Sequence, residues 1–341
     1  MYNLRTCIFS IRSLISYAFI AEQTVFMAFG QVVQPSSSMH RSQIAFQLSE
    51  TGLITEGIAH DPKTGMFYIS SVHERKIIRY SEKTGPAAFS QPGDSLWGVF
   101  GMKVDPKRRL LWACSSALPQ TKGITATTNG RSALVVYDLT TRRLKRRWLM
   151  PDDGKAHLLG DLTLALDGAV YATDSRTPWI YRLEAGASVI TPFLTDTLFR
   201  SLQGLALSDD QKTLFVADYR RGLLAVDLAT RQVSCLSCTQ SADLSGIDGL
   251  YYDQNSLIAI QNRRKPYRVS RIRLAKQALA IEQVDTLDVG HPLASEPTLG
   301  VIVGCQFYYI ANSQWDAFDE SGRPVPNFPA QKPTVLVLPL N

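Results

Sequence analysis

A chain of 341 residues with 45% hydrophobic and 9% aromatic side chains has ample material for a packed core. No segment reaches the ~18 uninterrupted apolar residues of a membrane span, and five scattered cysteines make no disulfide framework. The net charge of +6 includes basic clusters at Arg142–Arg147 and Arg263–Arg273. With no nucleic-acid-binding motif beside them, these read as solvated outer strands and turns and not as a nucleic-acid surface.

Residues 1–38 share no pattern with the rest. Arg5 and Arg12 precede apolar stretches, and Ala28-Phe29-Gly30 before Gln31 has the small residues of a cleavage site, the outline of a leader for export. Pro35-Ser36-Ser37-Ser38 reads as a linker, so the folded domain is expected over 39–341. The run Ser42–Leu48 is a lone strand candidate. At Glu56 a recurring unit begins: an apolar strand, a turn at Asp61-Pro62-Lys63-Thr64-Gly65, the strand MFYISS, a polar turn, and the strand KIIRY. Aromatic and β-branched residues bounded by Pro, Gly and Asp mark short antiparallel strands. Further copies open at Phe100, Asp161, Gln203, Asp248 and Thr298. A unit returning roughly every 40–50 residues is the period of a propeller blade. The fold class expected is therefore all-β, a six-bladed β-propeller. Pro333–Leu340 is a second orphan strand, and pairing it with Ser42–Leu48 closes the ring and removes exposed edges. The longest insertions are Ser115–Arg131, placed between blades two and three, and Asn312–Lys332, which carries Trp315. Both follow a second strand, where long loops on a rigid scaffold carry binding contacts.

In a propeller the inner strands face the central channel, and their first residues cluster at one mouth. That gives a ring of Glu56, Phe100, Asp161, Gln203, Asp248 and Thr298. Glu56, Gln203 and Asp248 each precede Gly, whose backbone freedom is expected to help aim the preceding side chain inward. Carboxylate and amide oxygens converging there are hard ligands, suited to calcium or magnesium. Asp174, Asp218, Asn262 and Asn312 recur at the ends of second strands as turn formers, with Asp218 and Asn262 also within reach of the mouth. His157 precedes the Asp161 motif and is a further mouth candidate, whereas His60 belongs to a strand as a satisfied, buried histidine. Cys235 and Cys238 have redox or zinc spacing without the partners a metal site needs, and read as a local disulfide or two ordinary thiols.

The segments EGIAHDPKTGMFYI, GDLTLALDGAVYATDS, QGLALSDDQKTLFVAD and DGLYYD resemble the blade motifs of the senescence-marker-protein/gluconolactonase family of six-bladed propellers, over about residues 50–315. The resemblance implies one divalent cation at the channel mouth and hydrolysis of lactones or related esters. It implies that Glu56 is a metal ligand and that Asp248 is both ligand and base. The family's third ligand, an Asn, falls on Gln203, which keeps the amide, and its fourth falls on Gly160, so that Asp161 beside it is expected to swing in as the fourth metal ligand. Phe100, His157, Asp218, Asn262 and Thr298 are the expected substrate contacts. Two functions stay open on the sequence: a divalent-cation-dependent lactonase-like hydrolase of a small sugar lactone or ester, with calcium the favoured ion, and a non-catalytic binding propeller, without the metal, that presents its loops to a protein partner. A mouth plugged by Phe100 or by the Trp315 loop favours the second.

Overall fold

In a computed structural model that describes residues 40–238, 242–275 and 280–341, strands dominate and the helical segments are two 3-10 turns, Pro92–Asp94 and Trp315–Ala317. The leader of residues 1–38, Cys7 and the linker lie outside the described residues, as does the Cys238 side chain and with it any pairing to Cys235. Among the described residues no helix is long and apolar enough to cross a membrane.

The strands form six sheets, which are the six blades. Blade 1 runs Thr55–Asp61, Met66–Ser71, Lys76–Ser81 and Gly85–Ala88 from the channel outwards. The inner strands of blades 2 to 6 are Gly98–Asp105, Leu159–Leu164, Leu202–Leu207, Ile247–Asp253 and Gly300–Val303. Second strands such as Leu110–Ser116 and Val170–Asp174 are buried almost throughout, because a neighbouring blade covers each face. The outer strand Arg143–Leu149 is largely exposed, with Trp148 alone buried, and it carries the first basic cluster. The second cluster runs from a turn into Arg268–Leu274, the third strand of blade 5. Ser237–Cys238 adds a short parallel edge to blade 5, whereas Cys235 ends the outer strand of blade 4, so the two cysteines belong to different sheets.

Blade 6 is built from both parts of the chain: Gln43–Gln47 pairs antiparallel with Thr334–Pro339, outside Gln306–Ile310 and Gly300–Val303. The ring closes as expected. The core is divided among the joints between blades. Tyr68, Phe89, Val99 and Tyr137 fill the joint of blades 1 and 2, and Phe46, Ile58, Ile69 and Val335 fill that of blades 6 and 1. The insertion after Ser116 lies inside blade 2, between its second and third strands, and not between blades 2 and 3, because Ser132–Asp138 still pairs with Leu110–Ser116.

Candidate active site at the channel mouth

The inner strands of blades 1 to 5 share one irregularity. Pairing with the second strand slips between Thr55 and Ile58, Val99 and Met102, Leu159 and Asp161, Leu202 and Leu205, and Ile247 and Leu250. A β-bulge at each place re-aims a side chain towards the axis. The bulge pairs are Glu56-Gly57, Phe100-Gly101, Gly160-Asp161, Gln203-Gly204 and Asp248-Gly249. This register corrects the expected ring: Gly160 stands at the level of Glu56, Gln203 and Asp248, while Asp161 stands one step deeper, at the level of the glycines. The glycines are also there for a different reason than expected. Gly57, Gly204 and Gly249 do not adopt positive φ. A Cβ on Gly57 would lie 2.3 Å from the Phe100 carbonyl oxygen, and one on Gly204 2.5 Å from that of Asp248. Neighbouring inner strands touch here, and only a hydrogen fits.

The result is a cavity of about 120 Å³ lined by Glu56, Phe100, Gly160, Asp161, Gln203, Asp248 and Trp315 together with Leu118, Leu158, Ser175 and Leu299. Five of the expected residues therefore meet in one space. Glu56 accepts a hydrogen bond from the Trp315 indole N–H at 3.1 Å. Asp248 accepts one from Asn262 Nδ2 at 2.7 Å, and Asn262 is held by the Tyr219 hydroxyl at 2.9 Å. The Gln203 amide has only long contacts, 3.4 Å to the hydroxyls of Ser175 and Ser201. Asp161 Oδ1 lies 3.3 Å from Lys103 Nζ, and its other oxygen has no hydrogen-bond partner among the described residues.

Burial pushes Glu56 well above the ordinary carboxylate range, and the Asp248 charge adds to this, while the Trp315 hydrogen bond works against it. Asp248 is raised as well, by burial first and by the charge of Asp161, against the Asn262 hydrogen bond. Asp161 is raised by burial and drawn back by Lys103. Such a group of carboxylates is harder to ionise than free ones, and a cation among them would ease the cost.

The remaining expected contacts stand elsewhere. His157 is buried with Nδ1 2.7 Å from Asp174 and Nε2 3.1 Å from Asp153, so it anchors the approach to blade 3 and leaves the lining to Leu158. Asp218 spends its oxygens on the backbone N–H groups of Arg200, Ser201, Arg220 and Arg221. Thr298 donates its hydroxyl to the Glu56 carbonyl, and Leu299 faces the cavity instead. Asn262 acts behind Asp248. His60 is half-buried against the Phe67 ring. Two charged residues near these carboxylates escaped the sequence reading. Lys103 is one. The other is Glu296, held at φ +63 and pushed up to about 7 by burial and by the charges of Asp316 and Asp248.

Trp315 enters on the Asn312–Lys332 segment, whose base is clamped by Asn312, which accepts from Thr334 N and donates to the Lys332 carbonyl. Its indole lies beside Phe100, with ring centres 6.1 Å apart. The two rings wall one side of the cavity without filling it. Gln120, from the blade 2 loop, donates to the Asp319 carbonyl and ties the two long loops together.

Whether these residues suit a hard divalent ion can be judged from the donors. Glu56, Asp248 and the loosely held Gln203 oxygen are of the right kind. Among the described residues no three acidic, imidazole or thiol side chains gather tightly enough to share an ion, which agrees with the deeper station of Asp161. The fit is thus to two carboxylates and an amide.

No protein-family model matches the sequence, and no curated protein sequence does either. Solved structures do match. A gluconolactonase from Xanthomonas campestris is 15% identical, with 91% of this chain and 99% of that one covered at a TM-score of 0.57. A PQQ-bound aldose sugar dehydrogenase from Streptomyces coelicolor is 16% identical over 87% of this chain and 97% of that one, at 0.55. A virginiamycin B lyase from Staphylococcus aureus is 12% identical over 79% and 80%, at 0.55. At these identities the likeness is one of fold, and the fold serves hydrolase, oxidoreductase and lyase alike. The chain is a six-bladed β-propeller, and a gluconolactonase of the kind its blade motifs resemble stands among its structural neighbours.

Proposed function

We propose that the protein is a divalent-cation-dependent, lactonase-like hydrolase that opens a small sugar lactone or ester at this mouth. The observation that carries the reading is the convergence of Glu56, Asp248 and the Gln203 amide on one buried cavity, above an Asp161 oxygen that has no hydrogen-bond partner among the described residues. Glu56, Asp248 and Gln203 would hold the cation, with calcium favoured by an all-oxygen set. When bound, it would polarise the ester carbonyl and stabilise the developing oxyanion. Asp248 takes a proton from the attacking water, its carboxylate fixed by Asn262 and Tyr219. Phe100 and Trp315 offer flat apolar faces to the ligand and exclude solvent from one side.

A specific observation favours the second reading, a binding propeller without metal: Trp315 and Lys103 already give two of the carboxylates a partner from the protein itself. Metal content and hydrolysis of a small lactone panel, wild type beside Asp248→Ala, separate the two. The hydrolase should carry about one calcium per chain, and the variant should lose it along with at least ~100-fold in turnover. Folded protein with neither metal nor turnover would leave the binding propeller.

A further inference from the structure

Asp161 occupies a level at which blades 1, 2, 4 and 5 place glycine. It is 1% exposed, and a Cβ on Gly101 would stand 2.3 Å from its Oδ1. The carboxylate is buried and packs against the backbone of Gly101, where a side chain would collide with it. Lys103, two residues beyond Gly101 on the same inner strand, meets it from below. The lysine also lines a second cavity, of about 250 Å³, with Tyr251 and Ile302, and its Nζ is 5.0 Å from the centre of the Tyr251 ring. Of the two oxygens of Asp161, one is engaged by the ammonium, while the other has no hydrogen-bond partner among the described residues, in a residue that lines the mouth.

The charges match in a particular way. Glu56, Asp248 and Asp161 bring three negative charges when ionised; a divalent ion offsets two, and the third needs a cation that belongs to the protein. We propose that Lys103 is that cation: a tethered ammonium that answers the charge of Asp161, sets the mouth for a single divalent ion, and so determines its affinity and charge selectivity. This rests on the cation-dependent reading of the mouth, and it makes Lys103 a positioning and selectivity residue, outside the ligand set.

Calcium and terbium(III) titrations of wild type, Lys103→Met, Asp161→Asn and the double variant test it, with terbium luminescence sensitised through Trp315 and calcium-dependent melting as second readouts. With its third charge unanswered, Lys103→Met should bind calcium at least ~10-fold more tightly and shift further towards terbium. Asp161→Asn leaves the ammonium unopposed and should weaken calcium by a similar ~10-fold. The double variant, neutral at both positions, should return near wild type. A pair with a purely structural role would lower the melting temperature of the single variants and leave cation affinity unmoved, which overturns the proposal while the metal reading stands. If wild type binds no calcium, the metal reading fails. The proposal, which rests on that reading, then falls with it.

Discussion

The narrowest points of the molecule are its axial glycines. Gly57→Ala puts a methyl group 2.3 Å from a backbone oxygen of the next blade, which has no flexible end to yield. We expect a loss of about 2–3 kcal/mol in denaturant unfolding. Gly93→Ala, with nothing within 4 Å and no positive φ, should be close to neutral. The dipeptides that mark these places were plain in the sequence, yet their cause was not, because contact between blades is invisible along one strand. The same limit misplaced Asp161. Read along the chain, Gly160-Asp161 puts a carboxylate beside Glu56 and Asp248, and only the register with Val170–Asp174 shows that it sits a level deeper. Lys103 left a fainter trace, as a charge inside an otherwise apolar inner strand. That it meets Asp161 could come only from the closed ring.

Among the elements, the closing strand has the clearest energetic test. Phe46 on Gln43–Gln47 is buried and stacks on Tyr80 of blade 1, with ring centres 3.9 Å apart, and also touches Phe67. Phe46→Ala should cost about 3–4 kcal/mol, read from the urea midpoint. The strand was legible because it and Thr334–Pro339 were left over once the repeats were counted. The turns of blade 1 were legible too: Asp61 accepts from Lys63 N and Thr64, as an Asp opening a turn does. Asp61 also receives the Arg109 fork of blade 2, at 2.5 and 2.7 Å, a tie between blades that the repeat gave no sign of. Arg109→Ala would strand a fully buried carboxylate and should cost about 3 kcal/mol in the same assay. The long loops were visible as insertions, but the descent of Trp315 onto Glu56 joins residues 259 positions apart and has no local signature.

At the scale of the whole ring, the acidic mouth makes stability depend on pH. Glu296 is raised from an ordinary 4.5 to about 7, and Glu56 and Asp248 shift the same way. A carboxyl raised on folding keeps a proton that the unfolded chain has released, so its folded state is penalised as pH rises. In the presence of a chelator, the melting temperature should fall as pH climbs from the ordinary carboxylate range through about 7. Calcium should restore it above that range if the mouth takes the ion. A melting temperature flat across this interval would mean that these carboxyls are relaxed by their surroundings. The sixth blade has a consequence in time as well as in space. Its outer strand, Gln43–Gln47, is among the first parts of the domain to be synthesised, and Thr334–Pro339, which it must pair with, is among the last. During translation blades 1 to 5 can form in order, but the ring stays open until the final strand leaves the ribosome. Until then Phe46 lacks the part of its site that Ile310 and Val335 supply, and the early strand must be kept from pairing with other chains.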